Sequence, residues 1–312
     1  MQFFDSLSGV PAVFGPSAVT IGKFDGVHIG HRRVLAALRD IAAEQGLTST
    51  VVTFDRHPLA LLRPDLCPES VSSNQQKREL LESTGVDATV VIPFTREFSE
   101  LTPVEFVERV LIDALRAQVV FVGEDFRFGH GGRGDVAMLA QLGATRGFEV
   151  RSIDQVLSST RPVSSTLVRG LLADGRVREA GELLGRPPAV RAEVVHGEHR
   201  GRELGYPTAN LSPDHEGLIP ADGVYAAYLV LDGVRMPAAV SIGNNPTFDG
   251  VPAKQVEAHV LDADLDLYGD VVELQFVDYV RGMVKFDGVD ALIVQMQDDE
   301  RRVRDILGVP AP

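Results

Sequence analysis

Two histidines lie three residues apart, directly after a glycine-rich turn. Residues 22–31 read GKFDGVHIGH. An apolar stretch ending at residue 21 precedes this turn, and residues 32–42 carry apolar positions at helical spacing, so the pattern predicts a strand, a turn and a helix. A helix N-terminus offers unpaired N–H groups and partial positive charge, and glycines let the backbone approach a ligand closely. With His28 and His31 as further donors, the turn predicts a phosphate site.

Two other interpretations of this histidine pair remain open. Histidines near a helix start are often surface or capping residues. They can also bind zinc, but Cys67 is the only cysteine in the chain and no cysteine ligand lies nearby. The combination of strand, three glycines, Asp25 and both histidines favours phosphate over either alternative.

The turn also resembles a known signature. It is similar to the His-x-Gly-His motif of the nucleotidyltransferase superfamily. Its Phe-Asp-Gly form resembles that of the prokaryotic bifunctional riboflavin kinase/FMN adenylyltransferase family. The resemblance implies that His28 and His31 serve adenylyl transfer and that nucleotide or phosphate is bound by Gly22, Phe24, Asp25 and Gly26.

Strand-like and helix-like segments alternate up to about residue 185. Such alternation predicts a mostly parallel sheet covered by helices on both faces, with ligands at the carboxyl ends of the strands. The strands are predicted near residues 19–21, 48–54, 88–94, 119–123 and 148–153, and the later helices at 74–84, 103–116 and 135–146. The loops at residues 55–58 and 123–135 should therefore lie near the histidine turn.

The loop at residues 123–135 combines glycine, charge and aromatic residues. It is either a mobile connector or part of a binding site. The resemblance implies a role in flavin binding for Asp125, Phe126 and Phe128, although the two phenylalanines could equally fill core. Residues 129–134 formally match G-x-G-x-x-G, but they do not directly follow the strand and no matching acidic residue is found, so we reject a dinucleotide-binding interpretation.

A second phosphate motif is predicted at residues 161–169, RPVSSTLVR. Hydroxyls before a helix usually act as N-caps, and an arginine one turn into the helix also suits phosphate. The run resembles the second nucleotidyltransferase signature, with Val168 in place of Ile. The resemblance implies flavin binding by Arg161 and phosphate binding by Ser164, Ser165, Thr166 and Arg169. A Leu-Gly-Arg-Pro exit then suggests a domain boundary between residues 186 and 187.

The pattern changes after this boundary. Partly alternating, β-branched segments occur at residues 190–195, 223–230, 235–242, 256–261 and 271–277, and only residues 289–307 are convincingly helical. Asp232-Gly233 is a hairpin signal. An antiparallel β-barrel with a terminal helix is predicted.

Residues 197–210, GEHRGRELGYPTAN, resemble the riboflavin kinase signature, with Tyr206 in place of the commoner Phe. Gly197, Gly201 and Gly205 allow a backbone phosphate cradle. Thr208 and Asn210 are two apart on an extended segment, so they share a side and could supply oxygen ligands to Mg²⁺ and phosphate. A hydroxyl nucleophile benefits from a carboxylate base, for which Glu257 is the candidate, unless it is an ordinary strand carboxylate.

Composition limits the function classes. The net charge of −14 argues against a nucleic-acid or membrane-surface partner. We find no bilayer-spanning run and no secretory signal, and a single cysteine fits the cytoplasm. Small molecules are the expected partners, and oligomerisation is possible but cannot be inferred.

The sequence therefore predicts an α/β doubly wound, Rossmann-like nucleotidyltransferase domain at 1–186 and a β-barrel riboflavin kinase domain with a C-terminal helix at 187–312. The resemblance implies conversion of riboflavin to FMN and of FMN to FAD, with ATP as co-substrate and Mg²⁺ as cofactor. The alternatives are another adenylyl- or cytidylyltransferase with an accessory barrel, and a non-catalytic flavin-binding regulator.

Overall fold

A computed structural model describes residues 1–153, 157–158, 161–197, 205–243, 254–263 and 265–311. The chain divides into two compact units, Met1–Ser164 and Ser165–Pro312. The first is an α/β unit and the second is dominated by antiparallel strands. The predicted succession of fold classes is confirmed.

The first unit is built on six parallel strands in the order β1-β4-β3-β2-β5-β6. All of β2 is buried, because helices cover both faces of the sheet. The strands are β1 Gln2–Phe4, β2 Ser17–Ile21, β3 Thr48–Phe54, β4 Ala88–Ile92, β5 Ala117–Gly123 and β6 Glu149–Ile153.

The strand order places a switch point at β2. The chain leaves β2 toward β3 on one side, while β5 pairs with β2 on the other side. The hydroxyl of Thr20 donates to the carbonyl of Phe121 at 3.1 Å and ties β2 to β5. Loops that follow strands at such a point part from each other and leave a crevice for ligands. The histidine turn follows β2, and the 123–135 loop follows β5.

Helices flank this sheet. The first begins after His28 and ends at Gly46, which adopts the left-handed conformation at φ +66° as a C-cap. The Ser73 side chain and Gln76 form a capping box at the third helix. The helices are α1 Ile29–Gln45, α2 Pro58–Leu62, α3 Asn74–Glu82, α4 Arg96–Ser99, α5 Pro103–Phe106, continued by a π-helical stretch Val107–Ala114, and α6 Val136–Arg146.

The second unit opens with two helices and continues as a closed barrel. The helices are α7 Ser165–Ala173 and α8 Val177–Leu184, and a helix α9 Val289–Leu307 ends the unit. The barrel order is β10-β13-β12-β11-β14-β9. Its strands are β9 Ala189–Val195, β10 Ala209–Glu216, β11 Gly223–Leu231, β12 Val234–Gly243, β13 Gln255–Val260 and β14 Val271–Arg281.

Both opening helices contact the barrel. The backbone N–H of Ala221 donates to the carbonyl of Leu172 on α7 at 2.9 Å, and Arg178 on α8 pairs with Asp278 on β14. The compact units therefore divide before α7, whereas the sequence boundary at 186/187 falls after α8. The sequence boundary remains a prediction about where the two functional domains separate.

Several short or polar elements were not predicted, among them the short helices α2 and α4. Strand β1 has three residues, and β10 ends in the polar run Asp214-His215-Glu216, so neither shows a clear alternation. A two-stranded ribbon joins β7 Leu157–Ser158 to β8 Arg161–Pro162.

Candidate functional sites

The two signature histidines lie together at the start of α1. His28 is the N-cap, and its Nδ1 accepts a hydrogen bond from the backbone N–H of His31 at 3.3 Å. The two rings stack with centroids 3.6 Å apart and planes 15° apart. The capping role is therefore real, but it also fixes the imidazole pair at the positive end of the helix.

The electrostatic setting of His31 favours a neutral ring. Burial lowers the pKa of His31 well below its usual value, and the neighbouring His28 and Lys23 lower it further. A neutral imidazole has one N–H donor and one acceptor nitrogen. Within the described residues, Nδ1 of His31 and Nε of Arg32 are buried without a hydrogen-bond partner. Buried polar atoms of this kind suit an anionic ligand, and Arg32 was missed by the sequence analysis because it lies outside the motif.

The turn before the histidines is strained. Phe24 and Val27 have φ angles of +49° and +39°, which are uncommon for residues with a side chain, and Gly26 has φ +75°. Both side chains are buried, and the Phe24 ring lies 5.0 Å from the His31 ring between centroids. Phe24 thus supports His31 by packing.

Gly22 and Gly30 leave room for aromatic rings beside this turn. A Cβ on Gly30 would lie 3.1 Å from the His28 ring, and one on Gly22 would lie 3.1 Å from the Phe24 ring. The same Gly30 Cβ would lie 3.8 Å from the carbonyl oxygen of Val163, so the end of the first unit passes the start of α1. Ser164 directly follows Val163 in the chain, and Val163 lies beside the histidine turn.

Asp25 contacts the protein backbone. Its Oδ1 accepts hydrogen bonds from the N–H of Val71 at 2.9 Å and of Ser72 at 3.2 Å. The Ser72 hydroxyl accepts in turn from the N–H of Gly26 at 3.1 Å. These bonds hold the strained turn against the segment before α3, which gives Asp25 a structural role beside its predicted nucleotide role.

A polar pocket opens next to the turn, at the carboxyl end of β3. Lys23 lies within it, with Nζ 3.3 Å from Nε2 of His57. Lys77 is buried, its Nζ donates to the carbonyl of Phe54 at 2.8 Å, and burial lowers the pKa of its ammonium. The loop after β3 was expected near the site, but Lys23, although it lies within the signature turn, and Lys77, which lies outside any motif, were not singled out.

The 123–135 loop is anchored. Phe128 is buried in the core, and its N–H donates to the carbonyl of Gly134 at 3.1 Å. A Cβ on Gly134 would lie 2.7 Å from the Phe128 ring, which explains why residue 134 is a glycine. Phe126 is half-buried and stacks on Phe128 at 5.6 Å, and Asp125 is exposed. Their flavin roles stay predictions.

The second phosphate motif spans the division between the units. Ser164 ends the first unit, and Ser165 and Thr166 form the first turn of α7 in the second. One guanidinium nitrogen of Arg169, Nη2, lies 3.4 Å from the Thr166 hydroxyl, so the two side chains share one side of α7. The side chain of Arg161 lies outside the described residues, and its predicted flavin contact stays a prediction.

In the barrel, the predicted base and the predicted metal ligand are direct neighbours. Asn210 on β10 lies opposite Glu257 on β13 and, on its other side, opposite Val195 on β9. Glu257 is half-buried. Paired residues on adjacent antiparallel strands project to the same face, so the two side chains share the outside of the barrel.

The glycine cradle is partly described. A Cβ on Gly197 would lie 2.4 Å from Nδ2 of Asn210, so this position accepts only glycine while the amide stays in place. Gly205 is exposed with φ +82°, and Gly201 lies outside the described residues. Thr208 and Asn210 line a pocket that Leu267 and Tyr268 also line.

The donors at this pocket fit magnesium better than a transition metal. Thr208 and Asn210 offer hard oxygen ligands, and Glu257 lies opposite Asn210. Among the described residues, no group of three or more His, Cys, Asp or Glu side chains could hold a metal ion. Mg²⁺ commonly keeps waters and binds substrate phosphates with few protein ligands, so such a sparse set is sufficient.

The fold and sites define an enzyme that handles nucleotide phosphates in two separate units. The sequence model of the FAD synthetase family matches residues 11–167, and that of the riboflavin kinase family matches residues 184–307. The chain belongs to the bifunctional riboflavin kinase/FMN adenylyltransferase family.

Relatives and a solved structure agree over nearly the whole length. The bifunctional riboflavin kinase/FMN adenylyltransferase of Listeria monocytogenes is 37% identical over 92% of this chain and 91% of the relative. The Escherichia coli protein of the same description is 36% identical over 94% of each chain. A Streptococcus pneumoniae crystal structure described as a macrolide-efflux protein is 33% identical, covers 97% of this chain and 98% of its own, and has a TM-score of 0.87. Among the described helices, none is both long and apolar enough to cross a bilayer.

Proposed function

We propose that the chain converts riboflavin to FMN at Glu257, Thr208 and Asn210, and FMN to FAD at His28 and His31. The observation that carries the proposal is the pairing of Asn210 with Glu257 across two strands, beside Gly197, where a Cβ would displace the Asn210 amide. This pairing places a candidate base and a candidate phosphate ligand on the same face of the barrel. The family models assign riboflavin kinase to the part of the chain that contains this pair.

The phosphorylation step needs a base. The riboflavin hydroxyl oxygen attacks the γ-phosphorus of ATP, and the bond to ADP breaks. Glu257 accepts the hydroxyl proton, because a hydroxyl is a poor nucleophile at neutral pH. The backbone near Gly197 and Gly205 and the side chains of Thr208 and Asn210 orient the phosphates. Thr208 and Asn210 would hold Mg²⁺, which would supply positive charge against the phosphate oxygens.

The adenylyl transfer step needs no base. A phosphate oxygen of FMN, already an anion, attacks the α-phosphorus of ATP, and the bond to pyrophosphate breaks. Catalysis then consists of positioning and of stabilising charge in the transition state. His28, His31 and the N–H groups at the start of α1 are the donors in the first unit.

Several further residues extend the proposed transferase site. The unpartnered buried Nε of Arg32 and the amine of Lys23 add positive charge beside the histidines. Ser164, Ser165, Thr166 and Arg169 keep the phosphate roles that the motif predicts. A flavin site at Asp125, Phe126, Phe128 and Arg161 is the proposed location of the FMN ring system.

A time course tests this assignment. Purified protein is incubated with riboflavin, ATP and Mg²⁺, and flavins are separated by chromatography. We expect FMN first and FAD later, and no conversion when EDTA removes the metal. Absence of FMN would contradict the barrel assignment. Absence of FAD when FMN is supplied would contradict the assignment of the first unit. A cytoplasmic location and small molecules as the only partners remain proposals.

A further inference from the structure

A short connection forms one wall of the barrel pocket. We call residues 261–270, which join β13 to β14, the wall segment. Its described part includes Leu265, Leu267 and Tyr268, which line the pocket together with Thr208 and Asn210. The pocket lining thus combines oxygen-bearing and apolar side chains, as a nucleotide with phosphates and a base requires.

The two ends of the wall segment are held differently. At the far end, the N–H of Gly269 donates to the carbonyl of Val194 at 3.0 Å, and the N–H of Val194 donates to the carbonyl of Asp270 at 2.9 Å. This backbone pair fixes the far end to β9. At the near end, the N–H of Leu261 donates to the carbonyl of Pro237 at 2.8 Å, and Asp262 then turns the chain with φ +58°.

Asp262 is held in this turn by Arg304 of α9. The guanidinium nitrogens Nη1 and Nη2 donate to the two Asp262 oxygens at 2.9 and 2.5 Å. The left-handed conformation is unfavourable for a residue with a side chain, and a bidentate charged pair offsets this cost. The ion pair is therefore the side-chain anchor of the near end.

Arg304 is itself fixed. Its side chain is 7% exposed, it donates through Nη2 to Glu300 at 2.7 Å, and through Nη1 to the carbonyl of Pro310 at 2.7 Å. Removing its charge would leave the near end of the wall segment without this side-chain ion pair, while the Leu261 backbone bond and the buried Leu261 side chain still hold the end of β13. Arg304 is not among the residues that line the pocket, so an effect on substrate would pass through the carboxylates it holds, Asp262 and Glu300.

We propose that Arg304 is a positioning residue for ATP in the phosphorylation of riboflavin, because it fixes Asp262 and thereby the apolar wall of the nucleotide pocket. This inference rests on the proposed function of the barrel. It implies that the C-terminal helix sets the affinity of the kinase for ATP while leaving the proton transfer at Glu257 unchanged.

The test uses full-length Arg304→Met, Asp262→Asn and the double variant. FMN formation is measured with ATP varied at saturating riboflavin, and with riboflavin varied at saturating ATP. We expect the KM for ATP to rise about tenfold in Arg304→Met, with kcat and the KM for riboflavin within about twofold. Asp262→Asn should shift the KM for ATP in the same direction. The double variant should have the same KM for ATP as Arg304→Met, because each substitution removes the same ion pair.

Arg301→Met is the matched control. Arg301 lies on the same helix, is 72% exposed and pairs only with nearby Asp298 among the ion pairs described, so its loss should change neither KM. An unchanged KM for ATP in the Arg304 and Asp262 variants would overturn the inference, as would a rise confined to riboflavin or a fall in kcat alone. Should Arg304→Met fail to fold, Asp262→Asn decides, since asparagine tolerates a positive φ. A wild-type protein that makes no FMN would instead overturn the proposed function.

Discussion

The two proposed sites hold their candidate reactive groups by different means. In the first unit, His28 and His31 belong to one turn and one helix start, so local backbone geometry places them. In the second unit, Asn210 and Glu257 are far apart in sequence, and strand register places them. The first site therefore depends on a short strained segment, and the second on the pairing of whole strands.

The reactions proposed for the two sites also differ in whether the nucleophile must lose a proton. The hydroxyl of riboflavin must lose a proton, whereas the phosphate of FMN is already ionised. A carboxylate is thus essential only in the barrel, and hydrogen-bond donors dominate in the α/β unit. Because one chain contains both sites, each activity serves as an internal control for the other.

The removal of the base should have the largest effect. In Glu257→Gln, we expect FMN formation to fall by about 10²–10⁴-fold, because the hydroxyl proton loses its acceptor. Conversion of FMN to FAD by the same protein should not change. Glu193→Gln, which alters an exposed carboxylate on β9, is the control and should retain both activities. Equal loss of both activities in folded Glu257→Gln would contradict the separation of roles.

The removal of either histidine should lower FAD formation and leave FMN formation unchanged, the opposite of the effect of Glu257→Gln. In His28→Ala or His31→Ala, FAD formation from FMN should fall by about 10²–10³-fold, the cost of losing one transition-state donor. Riboflavin phosphorylation should be retained. His215→Ala, on β10 of the other unit, controls for the loss of a histidine as such. Full FAD formation in both histidine variants would refute their role.

Two glycine substitutions compare the sites directly. Gly197→Ala should lower FMN formation about tenfold, because the new Cβ would lie 2.4 Å from Nδ2 of Asn210 and displace it. Gly30→Ala should lower FAD formation about tenfold, by pushing against the His28 ring at 3.1 Å. Gly288→Ala, where a Cβ meets nothing within 4 Å, is the control. A loss of the opposite activity in either variant would contradict the comparison.

The smallest expected effect concerns stability and pH. Because the pKa of His31 is lowered on folding, the unfolded chain binds a proton more readily once the pH falls below the usual histidine range. The free energy of unfolding is therefore undiminished by His31 at neutral pH and decreases as the pH falls. Between pH 7 and 5.5, wild type should lose about 1 kcal/mol more than His31→Gln in urea unfolding followed by circular dichroism.

The same experiment has an optical control. All tyrosines lie in the second unit, at positions 206, 225, 228, 268 and 279, and the chain has no tryptophan. Tyrosine fluorescence therefore follows the barrel alone, and its unfolding curve should be the same in wild type and His31→Gln at each pH. Equal losses of stability in the two proteins by circular dichroism would show that His31 does not contribute.

Much of the fold was predictable because the sequence pattern is regular. Long apolar strands such as β3 and the helix α9 carry periodicities that few other structures produce. Strand β10 was missed because its buried apolar residues, Ala209 and Leu211, lie in its first half only, and its second half follows a register shift between Leu211 and His215. Pairing partners, rather than its own residues, make that half a strand.

Candidate site residues could be singled out from the sequence only where a motif or the expected chemistry points to them. The histidine pair and Glu257 follow from motif and chemistry, and the structure places them on a helix start and a barrel strand. Lys77 and Arg304 could not be found in this way, because each acts through burial and a partner distant in sequence. The backbone contacts of Asp25 with residues 71 and 72 are likewise invisible until the chain is folded.

The strained turn at residues 24–27 has a consequence for the thermostability of this enzyme. The buried side chains of Phe24 and Val27 hold unfavourable backbone angles, so the protein bears that cost on folding rather than on binding ATP. Substitutions that relax the turn would release backbone strain, and they would loosen the histidine pair at the same time. Variants selected for heat resistance should therefore accumulate their substitutions outside residues 24–27. Few substitutions within this turn should raise stability without lowering FAD formation.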